Sequence, residues 1–127
     1  MRRVLITASL IAVIAIGSVV GIVLFSEEGP QFQPISHSTP ADYEYVIPEG
    51  TGERIDAGEA ISIIPSELDV HVGESIRIVN NDERGHIVGV FFVGSGETMS
   101  QEFTTAGTLS GSCTVHPSGE FTLQVLE

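Results

Sequence analysis

Hydrophobic residues follow two different patterns along the chain. From Val4 to Phe25 the sequence is apolar and carries no charge. A helix rises about 1.5 Å per residue, so a helix over this run is long enough to cross the roughly 30 Å hydrocarbon layer of a membrane. We therefore expect residues 1–26 to form a single transmembrane helix with a short cytoplasmic N-terminus.

The charges at the two ends of this run predict its orientation. Arg2 and Arg3 precede it, while Glu27 and Glu28 follow it. Because positively charged flanks stay on the cytoplasmic side, we expect a single-pass membrane protein whose C-terminal domain is extracytoplasmic. A cleavable signal peptide, cut near Gly17, is the alternative, but the apolar region of a signal peptide is usually only about 7 to 15 residues long.

Residues 27–42 are rich in proline and in polar residues, with Pro30, Pro34 and Pro40 spaced along them. A segment of this composition buries too little apolar area to order itself. We expect an extended spacer that holds the following domain away from the bilayer.

From residue 43 to residue 127 the pattern changes to short β-branched runs separated by Gly, Pro, Asn and Asp. This pattern is typical of an all-β sandwich, and nothing in it indicates a long helix. Within 75–79 and 121–125 the apolar residues alternate, which predicts strands with one buried and one exposed face. The predicted strands are 60–64, 68–72, 75–80, 86–93, 98–103, 108–112 and 120–126.

The charge balance restricts the choice of partner. All 17 acidic residues lie beyond Phe25 together with only three arginines, and the chain has no lysine. Such a surface repels phosphate backbones, so nucleic-acid binding is not expected, whereas a basic partner protein would be attracted. Solubility or adaptation to a salty exterior would explain the same composition.

Cys113 is the only cysteine in the chain. Outside the cytoplasm a lone thiol cannot form an internal disulfide. It is therefore a buried apolar residue, a thiol that pairs between molecules, or a metal ligand. His116 follows three residues later on the same predicted loop. The two side chains are therefore close enough in sequence to bind the same metal ion.

His86 strengthens the ligand hypothesis, because it begins a predicted apolar strand directly after a turn-like segment, residues 80–85. Two imidazoles and one thiolate suit copper, particularly in a trigonal arrangement with a weak fourth contact. Zinc uses the same three ligands with a water as the fourth. A surface histidine and an unrelated Cys-x-x-His are the alternative.

These motifs resemble the cupredoxins, the family of small blue copper proteins. Residues 68–81 are similar to the family's strand, glycine turn and second strand leading to an Asn before the first histidine, and 96–113 follows its order of Gly, Phe, Gly and Cys. The resemblance covers roughly residues 60–126. It implies a Greek-key β-sandwich, one type 1 copper ion held by His86, Cys113 and His116, and electron transfer as the commonest role.

The chain departs from this family after the second histidine, where cupredoxins of this kind usually carry a methionine and residues 117–121 have none. An oxygen of Glu120, the carbonyl of Gly85 or no fourth ligand all remain open. Met99 lies among the predicted strands and does not match the family's axial position. Binuclear copper sites need two thiolates on this loop and are excluded.

The function expected is therefore a membrane-tethered copper protein that transfers one electron to or from a basic redox partner protein or a membrane oxidase. Copper capture or delivery to a membrane oxidase is one alternative, and a metal-free β-sandwich used for interactions is another. We expect no enzymatic activity, because no catalytic motif is present. His37, His71 and the pair Asp82-Glu83 are interpreted as surface residues.

Overall fold

The computed structural model describes residues 29–127, and the predicted transmembrane segment lies outside them. Within this range no helix is both long and apolar enough to cross a membrane. The elements, in chain order, are β1 (Phe32–Pro34), β2 (Tyr43–Ile47), α1 (Thr51–Asp56), β3 (Glu67–His71), β4 (Ser75–Asn80), β5 (His86–Val88), β6 (Phe91–Val93), β7 (Thr98–Phe103), β8 (Gly107–Ser112) and β9 (Glu120–Leu126).

The strands form three sheets. One has four strands in the order β1-β7-β4-β2, the second has the order β3-β9-β8, and β5 and β6 form a two-stranded third. The pairs β2 with β4 and β3 with β9 are parallel, and the remaining pairs are antiparallel. The expectation of a mostly β domain is confirmed.

All three sheets contribute to one hydrophobic core. Ile78 of β4 and Phe103 of β7 lie in the same buried cluster as Val70 of β3, Leu123 of β9 and Val88 of β5. A shared core of this kind fixes the sheets relative to one another, since close-packed side chains tolerate little displacement. The β5–β6 hairpin is therefore held by the same core as the larger sheets.

Five predicted strands are confirmed as β3, β4, β7, β8 and β9, with bounds within one residue. The predicted strand 60–64 is wrong: Ile61 and Ile64 are buried, but no strand lies between α1 and β3. The predicted strand 86–93 is instead the β5–β6 hairpin, because Gly89 adopts a φ of 61° and turns the chain. The sequence patterns did not indicate α1 or β2.

Part of the proline-rich segment belongs to the domain, contrary to its interpretation as a spacer. Residues 32–34 pair with β7, and residues 36–39 are fixed by Arg77, whose guanidinium donates hydrogen bonds to the carbonyls of Ser36 and Thr39. Arg77 is only 8% exposed. The expected solvent-facing side of β4 is therefore covered by the chain that precedes β2.

Candidate metal centre

His86 and Cys113 lie on two segments that are distant in sequence and hydrogen-bonded to each other. Val88 of β5 forms an isolated antiparallel bridge with Cys113. The N–H of Thr114 donates to the carbonyl of Ile87 at 3.0 Å, and the N–H of Gly89 donates to the carbonyl of Ser112 at 2.7 Å. Backbone hydrogen bonds thus place the start of β5 beside the Cys113 loop.

The imidazole of His86 is almost completely buried, with 1% of the residue exposed. Its Nδ1 lies 3.0 Å from Oγ1 of Thr114, the residue that follows Cys113. Its Nε2 lies 2.7 Å from Oδ2 of Asp82. Both ring nitrogens are therefore engaged, one towards the Cys113 loop and the other towards the turn before β5.

Asp82 is buried, with 4% of the residue exposed, so its interpretation as a solvated turn residue is wrong. The backbone N–H groups of Gly50 and Gly52 donate to its carboxylate at 3.2 and 2.8 Å. Burial acts to raise the pKa of Asp82, but the hydrogen bonds from His86, Gly52 and Glu83 outweigh it and hold the pKa below its ordinary value. The group is therefore an ionised, hydrogen-bonded carboxylate.

Asn80 at the end of β4 organises the turn that carries Asp82. Its side chain is fully buried, and its Oδ1 accepts the N–H of Asp82 at 3.0 Å. The two N–H groups of its Nδ2 are shared among the carbonyls of Arg84, Val93 and Gly94, which lie at 2.8, 3.1 and 3.0 Å. One amide therefore joins the turn before His86 to the end of β6.

The thiol of Cys113 is free and 3% exposed. Burial raises its pKa above the ordinary value, and the backbone N–H of Val115 opposes this by hydrogen bonding to the sulfur. The N–H of Val115 would stabilise the thiolate form of Cys113 once a cation is bound beside it.

His116 is partly exposed and contacts its own loop. Its Nδ1 accepts the N–H of Ser118 at 3.0 Å and lies 2.7 Å from Oγ of the same residue. Over residues 29–127, no three His, Cys, Asp or Glu side chains are grouped closely enough to hold a metal ion. The structure thus joins the segments of His86 and Cys113 but does not bring His116 into a group with them.

The donor set nevertheless fits copper in its chemistry. It comprises one buried thiol and two imidazoles, the ligands that copper prefers in trigonal sites. Two of them lie on segments that are joined by backbone hydrogen bonds. To bind an ion, each imidazole has to leave a hydroxyl contact, His86 that with Thr114 and His116 that with Ser118.

The other residues considered from the sequence have simpler surroundings. Glu120 is exposed, and Met99 pairs with Ile78 within the β7–β4 ladder. His71 is exposed beside Glu74, as expected. His37 bonds to Ser100 through Nδ1 at 2.9 Å, so it belongs to the structural contacts of the proline-rich segment.

Sequence reasoning missed Asp82 because acidic residues in turns are normally solvated. The available signal was spacing: Asp82 lies four positions before His86, at the start of a turn that ends at this candidate ligand. A carboxylate that contacts the second nitrogen of a metal-binding histidine is a common arrangement.

No protein-family model and no curated protein matches the sequence. The fold is similar to solved cupredoxin structures. Amicyanin from Paracoccus versutus (Thiobacillus versutus) is 18% identical with a TM-score of 0.46, over 74% of this chain and 96% of that chain. A purple cupredoxin from Nitrosopumilus maritimus is 21% identical with a TM-score of 0.44, over 66% of this chain and 99% of that chain.

A reduced Cu(I) form of a mutant amicyanin is 22% identical with a TM-score of 0.44, over 77% of this chain and 99% of that chain.

Proposed function

We propose that the chain is a membrane-tethered copper protein that transfers single electrons on the extracytoplasmic side, with His86, Cys113 and His116 as its metal ligands. One observation carries this proposal: the buried ring of His86 turns its Nδ1 towards the loop of Cys113 and His116, at 3.0 Å from Thr114. The membrane tether rests on the apolar run of residues 4–25.

A bound copper ion would supply a one-electron couple between Cu(I) and Cu(II). Cys113 would provide the thiolate after its thiol loses a proton, and Val115 N–H would stabilise the sulfur charge. His86 would be held by the contact of its Nε2 with Asp82, while His116, partly exposed, would give the shortest path to a partner.

The rigid part of the site supports electron transfer. His86 and Cys113 are fixed by backbone hydrogen bonds between β5 and the loop. A site with fixed ligands changes little between two oxidation states, so little energy is spent on rearrangement. We propose a basic redox partner, because the chain has a formal net charge of −12, and association should weaken as salt rises.

Copper capture and delivery is the second candidate, and His116 is the observation in its favour. This ligand has an alternative partner, Ser118, on its own loop. If His116 exchanges the ion for its contact with Ser118, the copper has one ligand fewer and dissociates more easily. An electron carrier should keep its copper in the presence of a competing acceptor, whereas a delivery protein should release it.

The test is a titration of the full chain with Cu(II), followed by visible spectroscopy. The proposal predicts an intense thiolate-to-copper band at one ion per chain, lost in Cys113→Ser. His71→Ala removes an exposed histidine and should leave the band unchanged. A folded protein without the band, or a band that persists in Cys113→Ser, would instead favour a metal-free interaction domain or a different site.

A further inference from the structure

The carboxylate of Asp82 lies between backbone N–H groups and the ring of His86. At the N-terminal end of α1, Gly50 donates to Oδ1 and Gly52 donates to Oδ2, and Nε2 of His86 lies 2.7 Å from Oδ2. The backbone of Asp82 is fixed as well, because its N–H donates to Asn80. The carboxylate therefore has a defined position against the ring.

This contact determines which nitrogen of the neutral His86 ring carries the proton. An ionised carboxylate only accepts hydrogen bonds, so a 2.7 Å contact requires the proton on Nε2. The lone pair of the ring is then on Nδ1, which faces Thr114 and the Cys113 loop.

The contact with Thr114 does not determine which ring nitrogen carries the proton, because a hydroxyl group both donates and accepts hydrogen bonds. Its Oγ1 also lies 3.4 Å from the carbonyl of Ile87, so the hydroxyl proton has a second acceptor when Nδ1 is needed elsewhere. Among the side-chain contacts of His86, only the one with Asp82 is selective.

We propose that Asp82 is the positioning residue of the metal centre: it holds the His86 ring with the proton on Nε2 and so presents the Nδ1 lone pair to the ion. This inference rests on the proposed copper function. The positioning itself is a property of the metal-free chain and can be measured without copper.

Long-range ¹H–¹⁵N correlation spectra of the metal-free full chain report the protonated nitrogen of each histidine. For His86 in the natural chain we expect a single form with the proton on Nε2. Asp82→Asn should keep this form, because an amide oxygen at the Oδ2 position can still accept from Nε2. Asp82→Ala removes the acceptor and should give a mixture of both forms.

Copper affinity, measured against a competing chelator, should follow the same order. Loss of such a partner usually weakens metal binding by about 10- to 100-fold, which we expect for Asp82→Ala, with Asp82→Asn close to the natural chain. Val70→Ala is the matched control for lost stability, since Val70 is fully buried in β3, a strand that pairs with β9 and belongs to a different sheet from β5. Its copper affinity should stay unchanged.

A natural chain with the His86 proton on Nδ1 would overturn the inference, whether or not Asp82→Ala folds. So would an Asp82→Ala variant that keeps the Nε2 proton and binds copper as tightly as the natural chain. A third outcome separates the two proposals: the natural chain shows the Nε2 proton, Asp82→Ala loses it, and the natural chain binds no copper. The positioning by Asp82 is then supported, and the copper assignment fails.

Discussion

Gly111 of β8 and Gly89 in the β5–β6 turn are in direct backbone contact. A Cβ added at Gly111 would lie 2.9 Å from the Cα, C and O atoms of Gly89, closer than real Cβ atoms approach a backbone. This contact lets the carbonyl of Ser112 accept the N–H of Gly89. The absence of a side chain at Gly111 therefore allows the Cys113 segment to approach β5.

Gly111→Ala should accordingly force β8 and the β5–β6 turn apart. We expect a loss of about 2 kcal/mol in the free energy of unfolding, typical of an overpacked site, together with weaker copper binding. Chemical denaturation measures the first effect. Gly29→Ala is the control, since nothing lies within 4 Å of a Cβ there. Equal stability of the two variants would show that the contact is not tight.

Thr114 joins the two ligand segments through its side chain, which contacts Nδ1 of His86 and accepts the N–H of Ile87 at 3.2 Å. Thr114→Val keeps the shape but removes the hydroxyl, and should cost about 1 kcal/mol. Copper binding should persist, because a bound ion would take the place of Thr114 at Nδ1 of His86. Thr114→Ser retains the hydroxyl and should be close to the natural chain; loss of copper binding in Thr114→Val alone would mean that the hydroxyl is needed in the loaded site.

Asn80→Ala should be one of the more destabilising single changes. It leaves three buried or partly buried carbonyls and the N–H of Asp82 without their side-chain partner. We expect a cost of about 3 kcal/mol in urea denaturation, because each unsatisfied group costs about 1 to 3 kcal/mol and relaxation recovers part of it. The exposed neighbour Asn81 provides the control, and Asn81→Ala should change stability little. Similar losses in both variants would contradict this role of Asn80.

Arg77 fixes the proline-rich segment onto β4 through Ser36 and Thr39, and its Nε donates to Ser100 at 2.9 Å. Arg77→Met should release residues 36–39 from the sheet. Amide exchange should then accelerate at Ile35, whose N–H donates to the carbonyl of Ser100. Arg54→Met, at an exposed ion pair with Glu59, should leave that exchange unchanged. Unaltered exchange in Arg77→Met would mean that β1 pairing alone holds the segment.

The strands that the sequence predicts well are those with a clear local pattern. In β9 the apolar residues Phe121, Leu123 and Val125 are buried while their neighbours are more exposed, as the alternation indicates. In β4 the same alternation predicts the strand but not its environment, because Arg77 is covered by a segment far away in sequence. Local patterns report periodicity, whereas burial of a polar face depends on tertiary contacts.

The errors have a similar origin. Ile61 and Ile64 fill the core, although their segment pairs with no strand. The N–H of Ile63 donates to the carbonyl of Val115, which lies outside the strands. In the candidate site, residue types indicate His86, Cys113 and His116, whereas the burial of Asp82 is apparent only from the fold. The bonds from Gly50 and Gly52, about thirty residues earlier, make its burial favourable.

X-ray absorption at the copper edge of the loaded full chain tests the central claim most directly, because it counts the atoms bound to the ion. The account predicts one sulfur and two imidazole nitrogens, with the sulfur lost in Cys113→Ser and one imidazole lost in each of His86→Ala and His116→Ala. A copper ion surrounded only by oxygen and nitrogen, or a spectrum unaffected by these three changes, would contradict it.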